Sequence, residues 1–331
     1  MSDLLNYTTA EVVADYDRLR DDCALIELAD FGLFELTGED RKGWLQGQVT
    51  QNLRTFDEGT STAFCFCEPT GHLMSVCDGW AVQGKILFTA PVATVANVSS
   101  RIEQMVVLES VEHQVVTKKY KLLSIQGPRA TAVLSEFVNF PNLDSGVSEL
   151  DGAEIFVLRS NRTGMGGWDL WIPATKRKAV SRIRTAFHTA GEAAYRLAAL
   201  EAGRPRFGVD MNSRTLPLEM GAAFTARHVS LNKGCYVGQE VLQRIHSRGH
   251  TNRTWVGLVA SSPIQAGQAV GHLRKDDVGS ITSAGFSPDY GHIGAAMLRN
   301  EAAYEREVVR VQTDSGWVEA EVRHLPILRL D

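Results

Sequence analysis

The sequence predicts an α+β protein built of antiparallel sheets, with a ferredoxin-like domain and a closing C-terminal β-barrel. Lys121 to Ile125 and Ile155 to Leu158 read as strands, and Ala130 to Phe137 between them as a short helix introduced by Gly127-Pro128; this strand–helix–strand order recurs. After Arg253 the texture changes to short strands at turn spacing: Trp255 to Val259, Ala269 to Leu273, Gly279 to Thr282, Gly294 to Leu298, Val308 to Val311 and Val318 to Val322. In the last, Val318, Ala320 and Val322 alternate with Glu319, Glu321 and Arg323, one face in and one face out. The 331 residues also exceed what one hydrophobic core usually serves. The expected division is residues 1–48 with 118–190 as one α+β domain, 49–117 with 191–253 as a second, and 254–331 as the barrel.

Taken in order, Thr8 or Thr9 caps a helix running to about Leu19, with Val12, Val13, Tyr16 and Leu19 on one face. Ala24 to Leu36 alternates and ends in Thr37-Gly38, which reads as a strand pair closed by a turn. Glu39 to Gln51 has helical spacing. Its polar residues Gln46, Gln48, Gln51 and Asn52 form either a solvated surface or the lining of a ligand cleft. Phe64 to Ala90 is a meander cut by Pro69-Thr70-Gly71 and Gln83-Gly84, and Val92 to Leu108 is a helix. Lys176 to Thr189 and Glu192 to Ala202 are further helices, the second stopped by Gly203 and Pro205.

Hydrophobic residues make up 44% and charged residues 22%, ordinary for a globular protein in water. No basic start precedes an apolar stretch, and no apolar run approaches the ~20 residues a membrane helix needs. A cytoplasmic chain without membrane contact is expected. Five cysteines, an odd number, argue against a disulfide scaffold in such a chain. Cys65-Phe66-Cys67 turns two thiols to one face of a strand, but lacks the second pair or nearby histidines of a zinc or iron–sulfur site. Buried small hydrophobes is the reading, and no metal site is expected.

The most informative stretch is Lys233-Gly-Cys-Tyr-Val-Gly-Gln-Glu240. Gly234 and Gly238 allow positive φ or close backbone approach, and Val241, Leu242 and Ile245 then fall at helical spacing. A tight loop feeding a helix leaves free N–H groups, and with Lys233 these make an anion site. The spacing is wrong for a P-loop, and a Gly-rich turn before a helix is by itself only a turn. However, Arg196 to Arg253 holds nine Lys or Arg against four acids, in a chain of net charge −5. Positive charge concentrated there points to an anionic partner. Beside Lys233 and near a helix N-terminus, Cys235 is expected to be a reactive thiol if exposed; the rival reading is packing.

The second stretch is Arg162 to Trp171. Asp169 lies between Trp168 and Leu170 in a strand, so its carboxylate is either partly desolvated and available to an N–H-rich ring, or an edge residue in solvent.

Lys233 to Glu240 resembles the signature of the YgfZ-type folate-binding proteins, relatives of the glycine-cleavage T-protein (aminomethyltransferase) in the GcvT superfamily. Leu45-Gln-Gly-Gln-Val-Thr-Gln-Asn-Leu53 resembles that family's Leu-Gln-Gly-x-x-Thr-Asn-Asp segment, and Ile125-Gln-Gly-Pro128 its Gly-Pro turn. Glu201-Ala-Gly-Arg-Pro-Arg-Phe-Gly-Val-Asp210 is similar to Glu-x-Gly-x-Pro-x-x-Gly-x-Asp, and Val278-Gly-Ser-Ile-Thr-Ser283 to Val-Gly-x-x-Thr-Ser. The resemblance runs nearly the whole chain, in order. It implies a three-domain fold whose first α+β domain binds folate, with tetrahydrofolate or a derivative as cofactor. By the same resemblance Asp169 takes the pterin-recognising position, Arg162 replaces a tyrosine and Met165 a glutamate. Asn52, Gln239, Glu240 and Arg248 join the implied folate site; Arg244, His246 and Arg248 resemble Arg-x-Lys-x-Arg. The T-proteins' Gly-Gly-x-x-Asp-Asp reads Ser75-Val76 at the aspartate pair, so their catalytic carboxylate is expected to be missing, with Asp78 two residues on, on the same strand face. Cys235, Lys233 and Asp78 are the candidate chemical residues.

The resemblance therefore implies a folate-binding accessory factor for assembly or repair of iron–sulfur proteins, including enzymes that modify tRNA. A tetrahydrofolate-dependent methyl or aminomethyl transferase, using Asp78 or Asp169, is the second reading. An RNA-binding protein using Arg196 to Arg253 is the third, opposed by the acidic remainder of the chain; no DNA partner is expected.

Overall fold

The computed structural model describes residues 9–140 and 143–327, apart from the side chain of Arg248. Helix α1 (Ala10–Asp21) begins where Thr9 Oγ1 accepts from the Val12 amide at 3.3 Å. Thr8, the other candidate cap, lies outside the described residues. Strands β1 (Ala24–Glu27) and β2 (Phe31–Thr37) follow, but they do not pair. β1 runs antiparallel to β7 (Tyr120–Gln126), while β2 lies between β5 (Lys85–Pro91) and β6 (Glu112–Val115). This corrects the hairpin expected for Ala24 to Leu36. Residues 28–30 carry the chain from one sheet to the other, so β2 and helix α2 (Arg41–Gln48) belong with the second sheet and not, as expected, with the first.

That second sheet has the order β3-β4-β5-β2-β6, with β3 (Ser61–Cys67) and β4 (Leu73–Val82) completing the meander. Gln83 and Gly84 close β4 to β5 with φ of 50° and 69°, the turn whose twist matches paired strands. In the first sheet, order β1-β7-β10-β9-β8, helix α4 (Ala130–Leu134) bridges β7 to β8 (Ser145–Leu150), giving the expected strand–helix–strand segment. β9 (Ala153–Arg159) and β10 (Gly167–Pro173) continue as a meander. Helix α5 (Arg177–Ala186) covers that sheet's outer face through Ala179, Val180 and Ile183.

The period of two along each strand sorts side chains between faces. Phe64 and Phe66 join Phe34 and Phe88 against α2 and helix α3 (Val95–Met105), while Cys65 and Cys67, fully buried, turn to the other face. There the two sheets meet: Trp80 of β4 and Trp171 of β10 pack edge to face, centroids 6.4 Å apart. Helix α6 (Glu192–Glu201) seats Tyr195 and Leu197 in the same core. Asp78, between Cys77 and Gly79, and Asp169, between Trp168 and Leu170, therefore both project between the sheets. All the expected C-terminal strands form, and they close as a barrel, β11 (Arg253–Ala260), β14 (Gly291–Arg299), β13 (Lys275–Ser287), β12 (Ala269–His272), β15 (Val308–Thr313) and β16 (Gly316–Arg323). Val309, Val311, Ala320 and Val322 fill its core.

Helix α8 (Gln239–Arg248) starts from Gly238, whose φ is 86°. A Cβ there would stand 2.6 Å from the Glu68 carbonyl oxygen. Gly238→Ala is expected to lower unfolding free energy by about 1–3 kcal/mol in urea titration; a wild-type midpoint would contradict this close approach.

Candidate functional site

A cavity of about 390 Å³ lies where the inner sheet faces, α6, the loop 203–211 and helix α7 (Gly221–His228) meet. Small-molecule sites run from roughly 300 to 1,000 Å³. Its walls include Phe31, Tyr195, Phe207, Met211 and Phe224. Its polar lining is unbalanced: Arg162, Arg196, Arg204, Arg206 and Arg227 against Asp30 and Asp78.

Three of the guanidiniums have carboxylates. Arg227 Nη2 donates to Asp78 Oδ1 at 2.6 Å, and Arg196 Nη2 to Asp30 Oδ2 at 2.6 Å. Burial alone would push the Asp78 carboxyl up, but Arg227, aided by Arg162 and His228, outweighs it and holds it down at about 2. Arg162, 6% exposed, donates through Nε and Nη2 to both oxygens of Asp169, the shortest contact being 2.5 Å, and its guanidinium lies over the Phe31 ring at 4.5 Å. Ser124, directly across β7 from Asp169, donates to the same carboxylate at 2.7 Å. Asp169 is 0% exposed and does not line the cavity. Its oxygens accept from Arg162 and Ser124, so it positions Arg162. The expected site residues that face the cavity are Arg162 and Asp78.

Among the described residues, Arg204 and Arg206 have no ion-pair or side-chain hydrogen-bond partner, and Arg204 Nε is buried without one. Burial, then the neighbouring Arg227, pushes Arg204 down to about 10, so it stays charged at neutral pH. His228, stacked on Phe224 with centroids 4.0 Å apart, shares a hydrogen bond between Nδ1 and the Phe224 carbonyl.

The Lys233 to Glu240 motif lies elsewhere, and none of its residues lines the cavity. Lys233 is 7% exposed and its ammonium donates to the carbonyls of Gln46, Val49 and Gln51 at 2.6, 2.7 and 2.8 Å. That cage corrects the expected anion site: the donors of Lys233 are spent on the chain itself, and its charge ties the 46–51 turn to the motif. Gln239 Nε2 donates back to the Lys233 carbonyl, Glu240 is exposed, and Cys235 is an exposed free thiol. Asn52 Oδ1 accepts from Gln46 Nε2 and the Arg54 amide, so it shapes the turn and does not line this cavity. The side chain of Arg248, at the end of α8, lies outside the described residues. Asp210 Oδ1 accepts from Thr282 Oγ1 and Ser283 Oγ at 2.7 and 2.6 Å, clamping the 203–211 loop onto the barrel.

The positive charge was visible in the sequence, but it was centred on the Lys233 motif and not on the cavity. Arg196, Arg204, Arg206 and Arg227 belong to the stretch singled out for its excess of cations; Phe31, Tyr195 and Phe224 carried no signal, because they converge only through the fold. Two outcomes follow. Lys233→Met leaves three carbonyls, one buried and two partly buried, without their cation and is expected to cost about 3 kcal/mol in urea unfolding; a loss under about 1 kcal/mol would contradict the cage. Burial, then Arg227, pushes His228 down to about 4 from an ordinary 6.5. The unfolded chain therefore takes up the proton first, so this stabilisation is complete above pH 6.5 and is lost as pH falls towards 4, on the order of 3 kcal/mol in all. His228→Phe should flatten that part of the stability–pH curve, and an unchanged slope would refute the assignment.

With this geometry in place, comparison with known proteins is informative. A family model described as the GCVT N-terminal domain matches residues 5–230, and the glycine cleavage T-protein C-terminal barrel domain matches 253–328. An aminomethyltransferase of Halothermothrix orenii is 26% identical over 98% of this chain and 93% of its own. The tRNA-modifying protein YgfZ of Hamiltonella defensa is 25% identical, covering 91% of this chain and 83% of its own. The crystal structure of the glycine cleavage system aminomethyltransferase T from Bartonella henselae superposes with a TM-score of 0.86 at 20% identity, over 98% of this chain and 91% of that one, a likeness of fold.

Proposed function

Because this chain belongs to the family of the glycine cleavage T-protein, matched by both its N-terminal and barrel domains, we propose that the arginine-lined cavity binds tetrahydrofolate or a derivative. We further propose that the protein serves as an accessory factor for assembly or repair of iron–sulfur proteins, and through them for tRNA modification. The observation that carries the folate reading is the lining itself. Aromatic and apolar walls suit a flat bicyclic body, and unpaired guanidiniums suit the carboxylates at the other end of such a molecule. When bound, the folate carries the one-carbon unit; the residues of this chain hold and orient it. Arg162, fixed by Asp169 and Ser124, Phe31 beneath it and Tyr195 opposite form the rigid part of the wall.

Asp78 separates binding from turnover. A carboxylate locked to Arg227 and held at about 2 is a weak base at neutral pH, whereas proton transfer works best with a group poised near the working pH. That supports an accessory role over aminomethyl transfer. The transferase reading is favoured by the likeness to aminomethyltransferases and requires Arg227 to release Asp78. The RNA reading loses its main support, since four of the arginines behind it face into the cavity.

The iron–sulfur reading draws on the YgfZ relative and on Cys235, whose thiol is open to a partner. In cells lacking the protein, wild type should restore iron–sulfur enzyme activity and Cys235→Ser should not, although both purified chains bind 5-formyltetrahydrofolate equally in calorimetry. Full rescue by Cys235→Ser would make the thiol mere packing, and absence of binding by wild type would remove the folate reading.

A further inference from the structure

We propose that Arg204 is the counter-charge for a carboxylate of the ligand that fills the cavity. This deepens the folate reading and rests on the same cavity being the ligand site.

The backbone of Arg204 is fixed before any ligand arrives. Gly203, with φ of 62°, stops α6; the Arg204 amide donates to the Ala199 carbonyl at 2.9 Å; and Asp210 holds the loop to Thr282 and Ser283. The side chain thus starts from a rigid point, yet its charge is unanswered. Its neighbours Arg162 and Arg227 are already bound to Asp169 and Asp78, and both repel it. Asp78, which attracts it, is committed to Arg227. Arg204 Nε has neither solvent nor a partner. Guanidiniums grip carboxylates in a fork of two parallel N–H bonds, and with Nε sealed off it is the unpaired terminal Nη edge of Arg204, in the cavity lining, that offers such a fork. A half-buried charge left unpaired is costly, so a carboxylate arriving here recovers a penalty already built into the unliganded protein. Arg196, by contrast, is satisfied by Asp30; of the two unpaired guanidiniums, Arg204 and Arg206, Arg204 is the one with a buried nitrogen left without a partner.

One such group has two sources: the glutamyl end of a folate, or the carboxylate of a small amino acid bound beside it. The test uses the full chain and calorimetry with 5-formyltetrahydrofolate, with 5-formyltetrahydropteroate, which lacks the glutamate, and with sarcosine. Arg204→Gln is expected to weaken binding of one carboxylate ligand by about tenfold to a hundredfold. It should leave the glutamate-free analogue within about twofold, with Arg204→Lys intermediate. Selective loss for the folate assigns the glutamyl end, and selective loss for sarcosine assigns the amino acid; both support the inference. Equal weakening of folate and its truncated analogue by a variant that melts like wild type would make Arg204 structural and overturn it. Should neither pteridine bind wild type, the folate reading fails by itself, and sarcosine decides Arg204: binding that Arg204→Gln abolishes keeps the inference, while unchanged or absent binding refutes it.

Discussion

A guanidinium taken out of water costs several kcal/mol unless a carboxylate meets it, and five of them surround one cavity in this protein. The way each is answered organises the inner faces of both sheets. Arg162 is met by Asp169 from β10, steadied by Ser124 from β7; Arg196 by Asp30 at the crossing between sheets; Arg227 by Asp78 from β4. The Arg196 and Arg227 pairings join elements far apart in the chain, so the charges that define the pocket also lock its walls. Arg204 and Arg206 remain without such partners, and the pocket keeps a positive field aimed inward.

Around that pocket, several conspicuous motif residues act as fasteners. Lys233 gives all three of its donors to the 46–51 turn, Asp210 clamps the 203–211 loop onto the barrel, and Gly238 lets the motif approach the β3–β4 connection where a Cβ would collide. Both α+β domains and the barrel contribute to the frame, and the cavity exists because they are held in one arrangement. Cys235 is different: it is exposed and away from the cavity lining, and fastening does not explain it.

Much of the fold was legible because local patterns dictated it. The barrel strands alternate cleanly, so Val318 to Val322 sorts itself into core and solvent faces, and Thr9 announces the start of α1. The pairing of β1 and β2 was not legible, since alternation does not say which sheet a strand joins; residues 28–30 send them to different ones. The site divides the same way. Asp78 was correctly placed on the face of Val76, a matter of period two, and the excess of arginines was visible as charge. The pairing of Asp169 with Arg162 was not legible because it forms only through the turn at Gly164 to Gly167, nor was the cage of Lys233, whose carbonyls lie more than 180 residues away.

The most direct measurement is a crystal structure of the full chain grown with 5-formyltetrahydrofolate. The account predicts ligand density inside the cavity, with its ring system against Phe31 and Tyr195 and its charged end among the arginines. Density at the exposed Cys235 loop or on the barrel, with the cavity holding only solvent, would contradict it.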